Sequence, residues 1–366
     1  MTAEAKQSSP NIKTIPRAKP TPNRRHKHLT VRQLVEGYLD SRTDLEAETL
    51  YSYRKRLERY IYPRLGDVSI HKLTAPQIQE AYTDIVKNGG SGSKPLSSRT
   101  LKNAHTPFNS ALRRAEKQRI ISYNPASGIE LPRYTPVRAQ ALELSEMRRL
   151  LLAIEALEDS DIRMALLIAV FTGLRRAEIC GLTWGAIDLH RSMLSVRQSF
   201  KCITGEEARY GKLKTRSSER NMYMSADLVS ALRQHKEDQY HTLRKVGIVQ
   251  ASDTAVVLWR NSPMPPNSLT KQVRNLFDEI GLLDFGIHSL RHTQATYLLL
   301  NNVPVNVVQE RLGHASATTT LDVYGHVIAG QDEIAAETFQ DVIHSIQKVN
   351  ARRRKRGTGP KTEILE

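Results

Sequence analysis

A proline-bearing stretch near the end of the first third constrains this chain more than any other feature. Prolines 125, 132 and 136 fall between Asn124 and Gln140, where no apolar period is kept. Proline fixes its own φ, offers no backbone donor and pushes the preceding residue toward extended conformations, so no helix or central strand runs through. The 366 residues are therefore read as two folded domains. The expected division is a helical domain over 29–125, a linker over 126–140 and a second domain over 141–345. Residues 1–28, rich in Pro, Lys, Arg and Ser, read as a basic flexible arm, and 346–366 as a basic C-terminal tail.

Apolar residues spaced three and four apart mark helices on both sides of the linker. Val31, Leu34, Val35, Tyr38 and Leu39 share one face, and Thr30 with Gln33 forms a capping-box pattern. Leu50, Tyr53, Leu57, Tyr60 and Ile61 make a second stripe, expected to stop at Pro63. Thr74 and Gln77 cap a third helix, with Ile78, Ala81, Tyr82 and Ile85 inward. A Gly/Ser loop over 88–95 precedes a fourth helix carrying Leu101, Ala104, Phe108, Ala111, Leu112 and Ala115. Pro107 inside it predicts a kink or two shorter helices.

Beyond the linker, Leu144, Met147, Leu150, Leu151 and Ile154 suit one helix. Ile162, Leu166, Ala169 and Val170 suit another, ending at Gly173. Short β-like runs follow at 186–189, at 193–198, around Leu213 and at 221–224. Helical patterns return at 228–243, 269–280, 288–300 and 334–346. The fold class expected is mainly α with a small β-sheet, an all-helical first domain followed by an α+β second domain.

Charge narrows the partner. Of the formal net charge of +16, the arm holds +6, the first domain +6 and the tail +5, whereas 126–345 is near neutral at −1. Basic extensions around a near-neutral domain point to a polyanion. No run approaches the ~18 uninterrupted apolar residues of a membrane span. The N-terminus lacks the apolar stretch of a secretory signal. Two cysteines, Cys180 and Cys202, fall short of a disulfide framework or a zinc site. A cytoplasmic, nucleoid-associated protein without a membrane partner is expected.

Four separated segments hold residue types suited to a phosphodiester. They are Thr172-Gly173-Leu174-Arg175-Arg176-Ala177-Glu178, Leu213-Lys214-Thr215-Arg216-Ser217-Ser218-Glu219-Arg220, His288-Ser289-Leu290-Arg291-His292, and Leu312-Gly313-His314 followed by Tyr324. A phosphodiester repels nucleophiles, and its five-coordinate transition state gathers charge on the non-bridging oxygens. Arg175 and Arg291 can each offer a planar fork of donors to those oxygens. A lone arginine is more often a surface ion pair; two, each in its motif, favour the catalytic reading.

In these segments, taken in order, the chain resembles the tyrosine recombinase (phage integrase) family. The pattern is T-G-x-R-x-x-E, a hairpin Lys, H-x-x-R, L-G-H and a tyrosine about ten residues later. The resemblance covers about 29–345. Through Tyr62-Pro63-Arg64-Leu65-Gly66 and Leu73-Thr74, the helical domain resembles the family's core-binding domain, and the second its catalytic domain. It implies a DNA-breaking and rejoining enzyme that needs no metal, nucleotide or other cofactor. Tyr324 would be the nucleophile, His288 the acid/base, Lys214 the general acid for the leaving 5′-oxygen, and His314 a donor to a phosphate oxygen. Glu178 matches a carboxylate that orients the site. Ser289 stands where relatives commonly hold an acid. Lys212 and Arg216 are neighbouring alternatives to Lys214, and Arg176 and His292 are supporting residues at most.

The resemblance also implies partners: double-stranded attachment sites, a homotetramer on two DNA sites, and an accessory directionality or DNA-bending factor. Integration and excision of a mobile element, viral genome integration included, is the expected use. The basic helix faces with Arg54, Lys55, Arg56 and Arg59, and with Arg99, Lys102, Arg113 and Arg114, are expected to meet phosphates. The apolar spacing of Ile334, Phe339, Val342, Ile343 and Ile346 suits docking on its own domain or on a neighbour. Rival readings are an inactive DNA-binding relative, a chromosome or plasmid dimer resolvase, and a type IB topoisomerase. A metallohydrolase is a minor one, since His288 and His292 stand i, i+4 but lack the usual neighbouring glutamate.

Overall fold

The computed structural model describes residues 28–90, 95–133, 140–158, 160–203, 207–213 and 218–313. The chain divides into two compact units, 1–136 and 137–366. The arm before His28, the helix pattern at 334–346 and the tail at 346–366 lie outside the described residues.

The described part of the first unit is helical: α1 (Val31–Asp40), α2 (Ala47–Arg56), α3 (Tyr62–Leu65), α4 (Ala75–Asn88) and α5 (Ser98–Lys117). The capping boxes read from sequence are present. Thr30 N–H donates to Gln33 Oε1 at 3.1 Å and Gln33 N–H returns to Thr30 Oγ1 at 3.2 Å. Thr74 N–H donates to Gln77 Oε1 at 3.0 Å. Such bonds satisfy amides that a helix start leaves without partners. Val31, Val35, Leu39, Leu57, Ile61, Ile78, Ile85, Leu101, Phe108 and Leu112 form the core. Glu36 ties three helices, accepting from Tyr62 Oη at 2.7 Å and Arg54 Nε at 2.8 Å.

Two proline expectations need correction. The second stripe does not stop at Pro63. It passes through a π-helical turn, Leu57–Ile61, into α3, where Pro63 occupies the first turn. In that first turn the donor that proline lacks would have no intrahelical partner in any case, and its fixed φ suits the helix. Of the two outcomes expected at Pro107, a kink or two shorter helices, the division does not occur. Helix α5 runs unbroken for 20 residues, with Pro107 buried beside Ala104, Phe108 and Ala111. Thr106 Oγ1 donates to Lys102 O at 2.9 Å and Ser110 Oγ to Thr106 O at 2.8 Å, so hydroxyls from either side of the proline brace carbonyls in the turn before it.

The second unit is built around α7 (Ser160–Thr172), whose Ile162, Met164, Ala165, Leu166, Ile168 and Ala169 are buried. Around it stand α6 (Leu144–Glu155), α8 (Arg176–Cys180), α9 (Ala226–Lys245), α10 (Pro266–Glu279), α11 (Ile287–Leu300) and α12 (Val305–Leu312). The strands are short: β1 (Ile187–Asp188), β2 (Met193–Val196), β3 (Gln198–Lys201), β4 (Arg209–Lys212), β5 (Arg220–Tyr223), β6 (Leu258–Trp259) and β7 (Ser262–Pro263). An antiparallel sheet runs β1-β2-β5, and β3-β4 and β6-β7 form separate antiparallel pairs. Leu194 faces Met222 and Val196 faces Arg220 across β2-β5, with all four buried. The mainly α architecture with small sheets is thus the one expected. Helix α12 and the β6-β7 pair were not anticipated.

Candidate active site

Three parts of the second unit bring the motif residues together. The first is the turn from α7 into α8. Gly173 ends α7 at φ +63°, in the left-handed region that glycine enters without penalty. A Cβ there would stand 2.4 Å from Gln294 Oε1 and 2.9 Å from Leu312 Cδ2, so the turn also needs the bare backbone. Arg175 follows, capping α8. Its N–H donates to Glu178 Oε2 at 3.0 Å and its Nη1 to Glu178 Oε1 at 2.8 Å.

The second part is α11, which carries His288 and Arg291 one turn apart. Arg291 is buried, at 7% exposure. Its Nη1 donates to Gly173 O at 2.9 Å and its Nη2 to Leu312 O at 2.6 Å. The third is the end of α12, where Gly313 adopts φ 65° and ψ 50°. Arg175 Nη2 donates to Gly313 O at 3.0 Å. The two motif arginines, 116 positions apart in sequence, therefore meet consecutive carbonyls at one helix end. Helix C-terminal carbonyls lack intrahelical donors and carry negative potential, so they are natural seats for guanidinium groups.

Glu178 is 3% exposed. Burial opposes its charge, but hydrogen bonding and attraction from Arg220, the nearby charge of Arg175 and the Arg175 amide outweigh it and hold the carboxyl below the usual range. His288 reaches solvent at one edge. The protein behind the ring lowers its pKa below the ordinary 6.5, and repulsion by Arg176, Arg291 and Arg175 adds to the shift. His292 is lowered by burial, then by Arg291 and His288. Both rings thus favour the neutral form, which can accept a proton.

Arg220, which closes the second motif segment, and Arg311 are residues to which motif reading gave no role. Arg220 Nη2 donates to Glu178 Oε2 at 2.9 Å, and Arg220 Nε donates to Arg311 O at 2.7 Å. Arg311 Nη2 donates to Phe171 O at 3.1 Å. The signal for Arg220 was strand alternation: with Met222 inward on β5, the residue two before it also points inward.

Lys214, His314 and Tyr324 lie outside the described residues, as does Arg216. Of the predicted DNA-facing residues of the first unit, Arg56 is half-buried with Nη1 3.5 Å from Ser52 O, and the others separate into two groups. Arg54 pairs with Glu36 and Asp40, at 2.8 and 2.5 Å, and Arg114 donates to Ser41 Oγ and lies over the Tyr38 ring. Lys55, Arg59, Arg99, Lys102 and Arg113 are exposed. Arg99, Lys102 and Arg113 share the α5 face opposite its buried stripe. Among the described residues, no three His, Cys, Asp or Glu side chains gather as a metal-binding group. No described helix is long and apolar enough to cross a membrane.

Comparison with known proteins decides the family. Residues 140–330 match the phage integrase family, and residues 30–86 match the phage integrase N-terminal SAM-like domain. The chain belongs to the phage integrase family. It is 26% identical over 314 residues to a "Tyrosine recombinase XerC-like" protein of Caldanaerobacter subterraneus subsp. tengcongensis, covering 80% of this chain and 78% of that one. It is 22% identical over 310 residues to the ICEBs1 integrase of Bacillus subtilis, covering 85% and 81%. The Tn1549 transposon integrase, solved in complex with transposon right end DNA, shares the fold with a TM-score of 0.70 and 21% identity, over 84% of this chain and all of that one. A lambda integrase tetramer bound to a Holliday junction gives a TM-score of 0.60 and 19% identity, over 79% of each chain. The phage integrase chain is accordingly an enzyme, a site-specific recombinase of the tyrosine type.

Proposed function

We propose that this integrase-family enzyme integrates and excises a mobile element through a 3′-phosphotyrosine intermediate. The observation that carries the reading is the convergence of Arg175 and Arg291 on the Leu312 and Gly313 carbonyls, immediately before His314. The segment that leads to Tyr324 starts where the two phosphate-binding side chains are held.

In this reading Tyr324 Oη attacks the scissile phosphorus while His288 takes the phenolic proton. The 5′-oxygen leaves with a proton from Lys214. Arg175 and Arg291 neutralise the non-bridging oxygens, and His314 donates to one of them. A guanidinium carries five N–H donors, and two bonds to the frame account for two of those on Arg175. The phosphotyrosine conserves the ester's energy, so a 5′-hydroxyl from the second site reverses the step without ATP or metal.

The substrates are two double-stranded attachment sites, held by a homotetramer with an accessory directionality or bending factor. The first unit grips phosphates through the exposed α5 stripe, with the arm before His28 and the tail at 346–366 adding non-specific contact. The working compartment is the cytoplasm. The expected domain limits, 29–125 and 141–345, belong to the same proposal.

A nicked suicide duplex carrying the junction sequence beside the gene tests it. The expected product is a protein–DNA adduct that survives detergent and forms equally with EDTA. An inactive DNA-binding relative would give none. A second reading is chromosome or plasmid dimer resolution by the same chemistry. It predicts the same adduct on a chromosomal or plasmid resolution site instead of an element junction.

A further inference from the structure

The proposed chemistry rests on Arg175, and Arg175 rests on Glu178. A carboxylate 3% exposed needs more than one guanidinium to stay ionised and oriented, because burial takes away its water. The additional partner comes from β5. Arg220 has a side chain only 2% exposed. Its Nη2 donates to Glu178 Oε2 at 2.9 Å and its Nη1 lies 3.4 Å from Glu178 Oε1. Nη1 also donates to Ser218 O at 2.8 Å, and Nε donates to Arg311 O at 2.7 Å.

We propose that Arg220 is a positioning residue for recombination: it holds Glu178, and through Glu178 the Arg175 fork, in register with the end of α12. The proposal rests on the functional reading above. Arg220 joins two segments distant in sequence, α8 through Glu178 and α12 through Arg311, and braces its own approach to β5 through Ser218. Three successive carbonyls at the end of α12 then take three different guanidiniums, Arg311 O from Arg220, Leu312 O from Arg291 and Gly313 O from Arg175. Shifting one of these arginines disturbs the frame that holds the other two. Gly313 completes the seat, since a Cβ there would stand 2.8 Å from Arg220 Nη1. A lysine at 220 would keep the charge but present a single ammonium, unable to fork onto a carboxylate and also reach two carbonyls.

The test compares Arg220→Lys with the wild-type enzyme on two suicide duplexes. One carries the ordinary scissile phosphate, the other a methylphosphonate there. The methylphosphonate centre is uncharged and relies less on Arg175. On the ordinary duplex Arg220→Lys should form adduct roughly 100-fold more slowly, the scale of a misplaced catalytic group. DNA affinity should stay within about threefold, because Arg220 is buried and bonded to protein. On the methylphosphonate duplex the deficit should shrink to roughly fivefold or less, as it should for Arg175→Lys.

Should Arg220→Lys fail to fold by circular dichroism, Glu178→Gln cuts the same link from the other end and is expected to show the same substrate dependence. An adduct rate within about threefold of wild type on the ordinary duplex overturns the proposal, as does a deficit of equal size on both duplexes. Absence of adduct from the wild-type enzyme itself is a different result, and contradicts the underlying recombinase reading.

Discussion

Arg175 and Arg291 hold equivalent places in the motif but different places in the structure. Arg175 is 37% exposed, whereas Arg291 is buried and bonded to Gly173 O and Leu312 O. Replacing either with alanine should slow adduct formation by roughly 10²–10³. Only Arg291→Ala should also lower the melting temperature clearly, because it strands two buried carbonyls at about 1–3 kcal/mol each. Equal melting losses for both variants would contradict this asymmetry. The histidines supply a pH prediction. A pKa below 6.5 in the folded state means the unfolded chain takes protons first as pH falls. The stability linked to His288 and His292 is therefore complete above that value and declines as pH drops through it. Glu178 acts in a lower window, its contribution present above about 4.5 and lost as pH falls further. The acid limb of adduct formation should lie below 6.5, and Arg176→Ala, by removing a positive neighbour of His288, should move it upward. Rates measured between about pH 5 and 8 check this, and a limb unmoved by the substitution would count against it.

At the scale of elements, the sequence was most informative where one residue satisfies a local rule. Thr30 with Gln33, and Thr74 with Gln77, announce helix starts because the bonds span three residues. Gly173 announces a stop because its left-handed φ is a local property. The prolines misled because tertiary packing overrides a local cost: Pro63 follows a π-helical turn, and Pro107 lies in a buried helix face. Two-residue strands such as β6 and β7 are too short for alternation to register. Arg220 was legible as a residue and not as a role, since three of its four acceptor atoms come from two segments distant in sequence, Glu178 and Arg311. Pro107 yields a prediction. Proline costs about 3 kcal/mol in a helix interior, and burial of its ring returns only part of that. Pro107→Ala should therefore stabilise the protein by about 1 kcal/mol in urea unfolding. A destabilised variant would mean that ring packing outweighs the missing hydrogen bond.

At the scale of the whole molecule, DNA grip and strand exchange would rest on separable features. Contacts with phosphate need only exposed basic faces such as Arg99, Lys102 and Arg113 on α5. Under the proposed homotetramer, exchange between two sites would need several protomers acting together. Removing the residues after Gly330, and with them Ile334, Phe339, Val342, Ile343 and Ile346, should abolish recombination between two sites while single-site binding remains measurable in a gel-shift assay. Normal recombination by the truncated chain would refute a role for that segment in assembly. In the proposed reaction a tyrosine hydroxyl becomes covalently joined to DNA. The most direct measurement of that bond is protease digestion of the trapped adduct followed by mass spectrometry of the DNA-linked peptide. A phosphotyrosyl bond is expected in the peptide holding Tyr324, and no adduct from Tyr324→Phe. A DNA link at any other residue, or full strand exchange by Tyr324→Phe, would contradict it.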